Sequence, residues 1–459
     1  LKQIFSLILL PVISLFEKIL SAIFGTVYYQ KYFNNYIARN STFLFFMHCF
    51  GIALVFFSNY ILVKAAGVNN YGSYVYLFNL VYLLVSFCVL GFDTLLVKKT
   101  AIYVDAKKYP EFKGLLFFAF RVILISSIAV ALLFNVISNF SKAAGVVGKI
   151  NWFAFAFISL FMLAATALTQ VVLQGMRKIV WSQLGEKIFR PLILIILVLL
   201  FYFLQKSVSL EKILWINVSS IAVTMLIALI VCGKTLGGRL KKIIPVYHFK
   251  DWITASATFF IADVLYNCNS RISIFLLGLF QNEKNIGVFN ITLRISEVIS
   301  FSLVIVNFVL SPVIAKLYAN GDTERLQQLV TRCARVTLAI GSLLTVGILF
   351  FRREILLLFG DNFLLGQQAL IILCIGQLVN VISGSVGLLL LMTGNQRFSI
   401  YSLAAGITIN LVLNLLLTPI YGITGAAIAA TASLVVWNVM TYFFVRTKLN
   451  IRPTAFGFL

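Results

Sequence analysis

Read for its alternation of apolar and polar positions, the chain is a succession of apolar runs of about twenty residues, each long enough to cross a bilayer as a helix. The runs fall at 43–62, 74–97, 114–137, 152–176, 184–204 and 213–232, then at 252–279, 286–315, 330–351, 369–392, 399–419 and 423–445. Short polar segments separate them. The pattern predicts an all-α integral membrane protein of about twelve transmembrane helices. Residues 4–24 form a further apolar stretch, interrupted by Pro11 and by the charged pair Glu17 and Lys18. A cleavable signal peptide there would leave the next segment outside, against the charge bias described below. Residues 1–39 are therefore expected to hold an interfacial or accessory helix. The remaining division is an N-terminal lobe at 40–233, an inter-lobe linker at 234–251, a C-terminal lobe at 252–446 and a tail at 447–459.

Composition agrees: 61% of residues are hydrophobic and only 11% are charged, where a soluble domain carries about 25%. The formal net charge of +23 would suggest nucleic acid in a soluble protein. Here most lysines and arginines fall in the polar segments on the side of the two termini, such as Lys98, Lys99, Lys107, Lys108 and Lys113 or Lys234, Arg239, Lys241, Lys242 and Lys250. By the positive-inside rule that side is cytoplasmic, and the basic balance reflects topology rather than a nucleic-acid partner. The six cysteines show no CxxC spacing and read as buried thiols.

The two halves echo one another at an offset of about 215 residues. Tyr71-Gly72-Ser73-Tyr74 corresponds to Ile286-Gly287-Val288-Phe289, Arg121-Val122 to Arg335-Val336, and Leu173-Gln174-Gly175-Met176 to Met392-Thr393-Gly394-Asn395. An even number of spans per repeat preserves orientation. The lobes are then related by an axis along the membrane normal, with the transport path between them.

Gly67, Tyr71-Gly72, Leu90-Gly91-Phe92 and Val97-Lys98 near one end, and Asn410, Asn414, Pro419, Gly422, Gly425 and Ala426-Ala427-Ile428-Ala429-Ala430 near the other, resemble the polysaccharide exporters and O-antigen (Wzx-type) flippases. These belong to the superfamily that includes the MATE multidrug exporters. The resemblance runs from about Asn40 to Val445. It departs where the family often has an acidic-basic pair, since this chain has Ser270-Arg271. It implies a MATE-like transporter that moves an undecaprenyl-pyrophosphate-linked oligosaccharide from the inner to the outer leaflet of a bacterial plasma membrane. The partners it implies are that lipid-linked oligosaccharide, membrane lipids, a polysaccharide polymerase and glycosyltransferases.

Ionisable side chains inside spans face a cavity or a partner. Arg271 and Arg294 each lie about eight residues, or roughly 12 Å, inside the outer ends of consecutive antiparallel spans. Two guanidiniums at matched depth suit a clamp for pyrophosphate oxygens, although Glu297 stands one turn from Arg294 and Asp263 two turns from Arg271. Asp263 and Glu297 approach mid-membrane. They are expected either to hold a coupling proton or sodium ion or to neutralise those arginines. Arg121, nearer the inner surface, either snorkels toward headgroups or lines the inward vestibule and meets the pyrophosphate there. No other cofactor is expected. Two rival functions are a drug or cation exporter of the same superfamily, which favours a carboxylate-dominated cavity, and a membrane glycosyltransferase or polymerase. The second expects large acidic external loops, whereas Glu211, Glu283, Glu354 and Asp361 are scattered. The chain is therefore read as a transporter and not an enzyme.

Overall fold

The computed structural model describes residues 36–140, 152–205, 208–240 and 243–456. The helix expected within residues 1–39 lies outside these, apart from its last four positions. In chain order the elements are α1 (Tyr36–Val89), α2 (Phe92–Asp105), α3 (Tyr109–Phe140), α4 (Trp152–Gly175) and α5 (Ile179–Leu184). A π-helical turn (Gly185–Phe189) leads into α6 (Arg190–Gln205), followed by α7 (Leu210–Leu236). The second half comprises α8 (Phe249–Phe280), α9 (Glu283–Ala319), α10 (Thr323–Phe350), α11 (Arg352–Phe359), α12 (Gln367–Ser383), α13 (Val386–Met392) and α14 (Gln396–Leu449).

Two of these helices double back. Tyr71 Oη donates to Asn59 Oδ1 at 2.7 Å, yet the same twelve residues would span about 18 Å in a straight helix. The reversal falls at Gly67, whose φ of 76° lies in the left-handed region that glycine tolerates. In α14 the break is at Gly422, with φ 53°, just after Pro419. There a Cβ on Gly425 would come within 2.4 Å of Leu417 O, eight residues back.

Nine helices among the described residues are long and apolar enough to cross a membrane, against about twelve expected spans. The difference has two causes. The first two expected spans are continuous within α1, and the last two within α14. The expected seventh span, α8, falls short because Asp263, Asn267, Asn269, Ser270 and Arg271 dilute its apolar character. The protein is an all-α, multi-pass membrane protein.

Within the first half, α4 packs on α2, α3 and α7; within the second, α14 packs on α8 and α12, and α9 on α10 and α12. The two sets meet along a seam where α1 lies against α8 and α9. The larger hydrophobic core runs through both sets. A smaller one, with Val306, Leu310, Ile314, Leu326, Leu389 and Val445, is buried in the second set, with Phe46 of α1 packed against it.

The segments after α7 and after α14 each fold back on their own half. Lys113 Nζ of α3 donates to the carbonyls of Leu240 and Ile243, both at 2.9 Å. In α10, Gln327 donates to Arg452 O and accepts from Arg452 N, both at 2.7 Å. Arg335 Nε adds a hydrogen bond to Ala455 O at 3.0 Å.

Candidate functional site

After Gly67 the second rod of α1 carries Tyr71, Tyr74, Phe78 and Tyr82 at three- and four-residue spacing, so their rings share one face. Consecutive rings lie 6.3, 5.1 and 6.4 Å apart. The last, Tyr82, is where charges from both halves converge. From α8, the Arg271 guanidinium lies 4.6 Å from the Tyr82 ring centre, and its Nη1 donates to Asn79 Oδ1 at 3.1 Å. From α6, Arg190 approaches the same ring at 5.3 Å and donates to Asn217 Oδ1 of α7 at 3.2 Å. Asn217 in turn donates to the Tyr74 hydroxyl. The two guanidiniums are therefore no further apart than these two ring distances taken together.

Local sequence explains how Arg190 reaches the ring. Pro191 has no N–H with which to continue an α-helical ladder. The backbone widens just before it into the π turn, closed by Arg190 N bonding Gly185 O. Such a turn rotates the residues that follow it and is frequent at functional sites.

Among the described residues neither Arg190 nor Arg271 forms an ion pair, although the Glu186 carboxylate acts on both at longer range. Ion pairs among the described residues are Arg177–Asp105, Arg325–Asp322 and Arg294–Glu297. Asparagine carbonyls and an aromatic face hold Arg190 and Arg271 instead. A cation over a ring gains about 0.5–2 kcal/mol and keeps its full charge. Arg271 Nε is moreover buried with no acceptor.

Of the residues singled out from sequence, Arg271, Arg294 and Glu297 come together at the seam. Arg294 of α9 pairs with Glu297 at 2.8 Å, with side chains 41% and 42% exposed. The exposure leaves both reachable by a ligand. Arg294 also feels Tyr71 and Tyr82, and Arg271 feels Arg294, Arg190 and Glu186. Three guanidiniums thus share the seam with two carboxylates, only one of which forms an ion pair.

Asp263 stands apart, two turns or about 12 Å along α8 from Arg271, and does not neutralise it. Its Oδ1 accepts from Asn267 Nδ2 at 3.0 Å, and it also faces Ser86 and Asp93. Asp93 Oδ1 accepts from Thr94 N at 2.7 Å. Two carboxylates from opposite halves therefore oppose each other at this level. No group of His, Cys, Asp and Glu suited to a metal ion occurs among the described residues. Arg121 is not brought to the seam. It is exposed on α3, on the same stripe as the outward-facing Phe117, Leu124, Ile125 and Ile128.

Sequence reasoning missed Arg190, Glu186, Tyr82, Asn79 and Asn217. The available signal was Arg190-Pro191 after Gly185 inside a helical run. The neutral residues carry none of their own.

The sequence profile of the family described as polysaccharide biosynthesis protein matches residues 37–318, and that described as MatE matches 258–416. The "probable low-salt glycan biosynthesis flippase Agl15" of Haloferax volcanii is 20% identical over 184 residues, covering 40% of this chain and 39% of that protein. The chain thus spans about two fifths of that curated relative's length. Among solved structures, the "Lipid II flippase MurJ, inward closed conformation" superposes with a TM-score of 0.68 at 14% identity, over 88% of this chain and 87% of that one. An inward-facing MATE family multidrug transporter gives 0.67 at 14% identity over 87% and 94%. A MOP superfamily transporter from Pyrococcus furiosus, described as having a binding pocket of reverse polarity, gives 0.59 at 13% identity over 90% and 95%.

Proposed function

The chain belongs to the polysaccharide biosynthesis protein family, and from that premise we propose that it is a flippase for a lipid-linked oligosaccharide, whose pyrophosphate passes along the seam at Arg271, Arg190 and Arg294. One observation carries this reading. Two guanidiniums from opposite halves meet on Tyr82 without an ion-paired carboxylate on either, so their charge is available to an anion. A diphosphate leaving water would otherwise face a prohibitive desolvation cost, and forked donors match phosphate oxygens.

In full, the proposal is an undecaprenyl-pyrophosphate-linked repeat unit turned from the inner to the outer leaflet of a bacterial plasma membrane. Movement is by alternating access of the two lobes, with both termini cytoplasmic. The product would feed assembly of a surface polysaccharide such as O-antigen, capsule or exopolysaccharide, alongside glycosyltransferases and a polymerase. Arg294 and Glu297 form a switchable pair in this scheme: an arriving phosphate competes with the carboxylate for the guanidinium. Asp263, facing Asp93, is the proposed seat of a coupling proton or sodium ion, and Glu297 a second. Arg121 meets headgroups from the lipid side.

The Asp93–Asp263 pair favours a second reading, a drug or cation exporter of the MATE type. The arginines oppose it, because three guanidiniums against two carboxylates leave a net positive charge that repels a cation. The experiment that separates the two deletes the gene and follows lipid-linked repeat units. Accumulation on the inner leaflet, relieved by wild-type protein and not by Arg271→Ala at equal expression, supports the flippase. Normal glycan export in the deletion strain, or from Arg271→Ala, removes it.

A further inference from the structure

On the first-half side of Tyr82 a cavity of about 130 Å³ opens among α1, α4, the π turn, α6 and α7. Its polar lining is Tyr82, Thr166, Gln170, Glu186, Arg190 and Thr224, and the rest of its wall is aliphatic. The hydrogen-bonding capacity of that lining has a direction. Gln170 Nε2 is buried and has no partner, so an amide donor awaits an acceptor. Thr166 and Thr224 direct their hydroxyl hydrogens to Met162 O at 2.7 Å and Ser220 O at 2.8 Å. What they offer the cavity is lone pairs. Gly185, first residue of the π turn, makes the space: a Cβ there would lie 3.3 Å from Thr224 Cγ2 and 3.9 Å from Gln170 Nε2.

A ligand group that completes this lining carries a carbonyl for Gln170, an N–H for a threonine oxygen and a small apolar end for the aliphatic wall. An acetamido group has all three. A lone sugar hydroxyl satisfies the polar atoms and leaves the apolar wall facing nothing of its own kind. The cavity shares Arg190 and Tyr82 with the guanidinium cluster, so a group in it is adjacent to a phosphate held there. We infer that this cavity receives the acetamido group of the sugar joined directly to the pyrophosphate. The inference rests on the flippase reading above and narrows its substrate to oligosaccharides that begin with an N-acetylated sugar. Recognition is then one-sided: both halves hold the diphosphate, and the first half alone reads the sugar.

The test measures binding to the full chain in lipid nanodiscs with three probes. These are polyprenyl pyrophosphate bearing no sugar, one hexose, or one 2-acetamido-2-deoxyhexose. The acetamido probe should bind about tenfold more tightly than the hexose probe, as one satisfied buried amide and one covered methyl would give. Gln170→Leu, close to isosteric, should bring that ratio near one. So should Gly185→Ala, which narrows the cavity without altering a charge and suits the residue's ordinary helical φ of −55°. Equal wild-type affinity for the two sugar probes overturns the inference, as does an unchanged ratio in both variants. Arg271→Ala should weaken all three probes. If it weakens none, the diphosphate reading itself fails, a result separate from either outcome at the cavity.

Discussion

Gly72 packs against the backbone of α9 with no room for a side chain, and replacing it tests whether the seam moves. A Cβ at this position would lie 1.7 Å from Glu283 O of α9, where ordinary contact begins at 3.4 Å, so alanine forces α1 and α9 apart by about the difference. Backbone stands on both sides and neither can rotate away. The cost therefore falls near the top of the range for overpacking, about 3 kcal/mol. If the halves separate at this end during transport, the strain is relieved in the separated state and the equilibrium shifts toward it by roughly a hundredfold. Gly287→Ala is the graded comparison, since its nearest contacts would be Val68 O at 3.0 Å and Tyr71 Cδ1 at 3.2 Å. Gly347→Ala is the control, with nothing within 4 Å. Spin labels at Asn69 and Lys284, with Cys49 and Cys268 replaced by serine, report the separation by pulsed dipolar spectroscopy. The expected order of the long-distance population is Gly72→Ala, then Gly287→Ala, then Gly347→Ala equal to wild type. A Gly72→Ala protein that melts normally and shows the wild-type distance distribution would refute a moving seam.

Asn79→Asp places a carboxylate where Arg271 now meets a neutral carbonyl at 3.1 Å. Affinity for polyprenyl pyrophosphate should fall about tenfold with no loss of melting temperature, measured by binding and by thermal unfolding on the same samples. Asp263→Asn should make transport in vesicles indifferent to collapse of the proton or sodium gradient, whichever drives the wild type. Persistent gradient dependence would move coupling elsewhere. Gln327→Ala removes both hydrogen bonds to Arg452, worth about 1–2 kcal/mol together, and should lower the melting temperature by a few degrees with substrate affinity intact.

The spans were legible because a bilayer imposes one length and one polarity on every crossing element. The exception is instructive: α8 is too polar to pass on hydropathy, and it is the helix that bears Arg271 and Asp263. Arg271 and Arg294 could be found because charge inside an apolar run is conspicuous. Arg190 could not, because it lies near the inner end of its run and reads as one more topology-setting charge. Only the fold reveals that α5, the π turn and α6 run on as one span from Ile179, which carries Arg190 well inside. The partners of the arginines were invisible for a different reason. Asn79, Asn217 and Tyr82 become meaningful only once α1, α7 and α8 are brought together. Asn410 and Asn414, which carry part of the family resemblance, bond across to α8: Ser273 donates to Asn410 at 3.0 Å and accepts from Asn414 at 3.2 Å. The two arginines paired by the sequence echo differ in the fold: Arg335 fastens the tail, while Arg121 has no hydrogen-bond or ion-pair partner among the described residues.

The two ends of α8 are embedded in different neighbourhoods. Near its start Trp252 is fully buried, its ring tilted against Phe118 of α3 at 5.9 Å and its Nε1 donating to Tyr103 of α2 at 3.3 Å. Near its other end Ser273 is bonded into α14. One helix is thus moored to opposite banks, and any rocking of one bank against the other must be absorbed as bending or twisting between those moorings. That stretch contains Asp263, Asn267 and Arg271, so whatever grips these side chains also grips α8 between its two moorings.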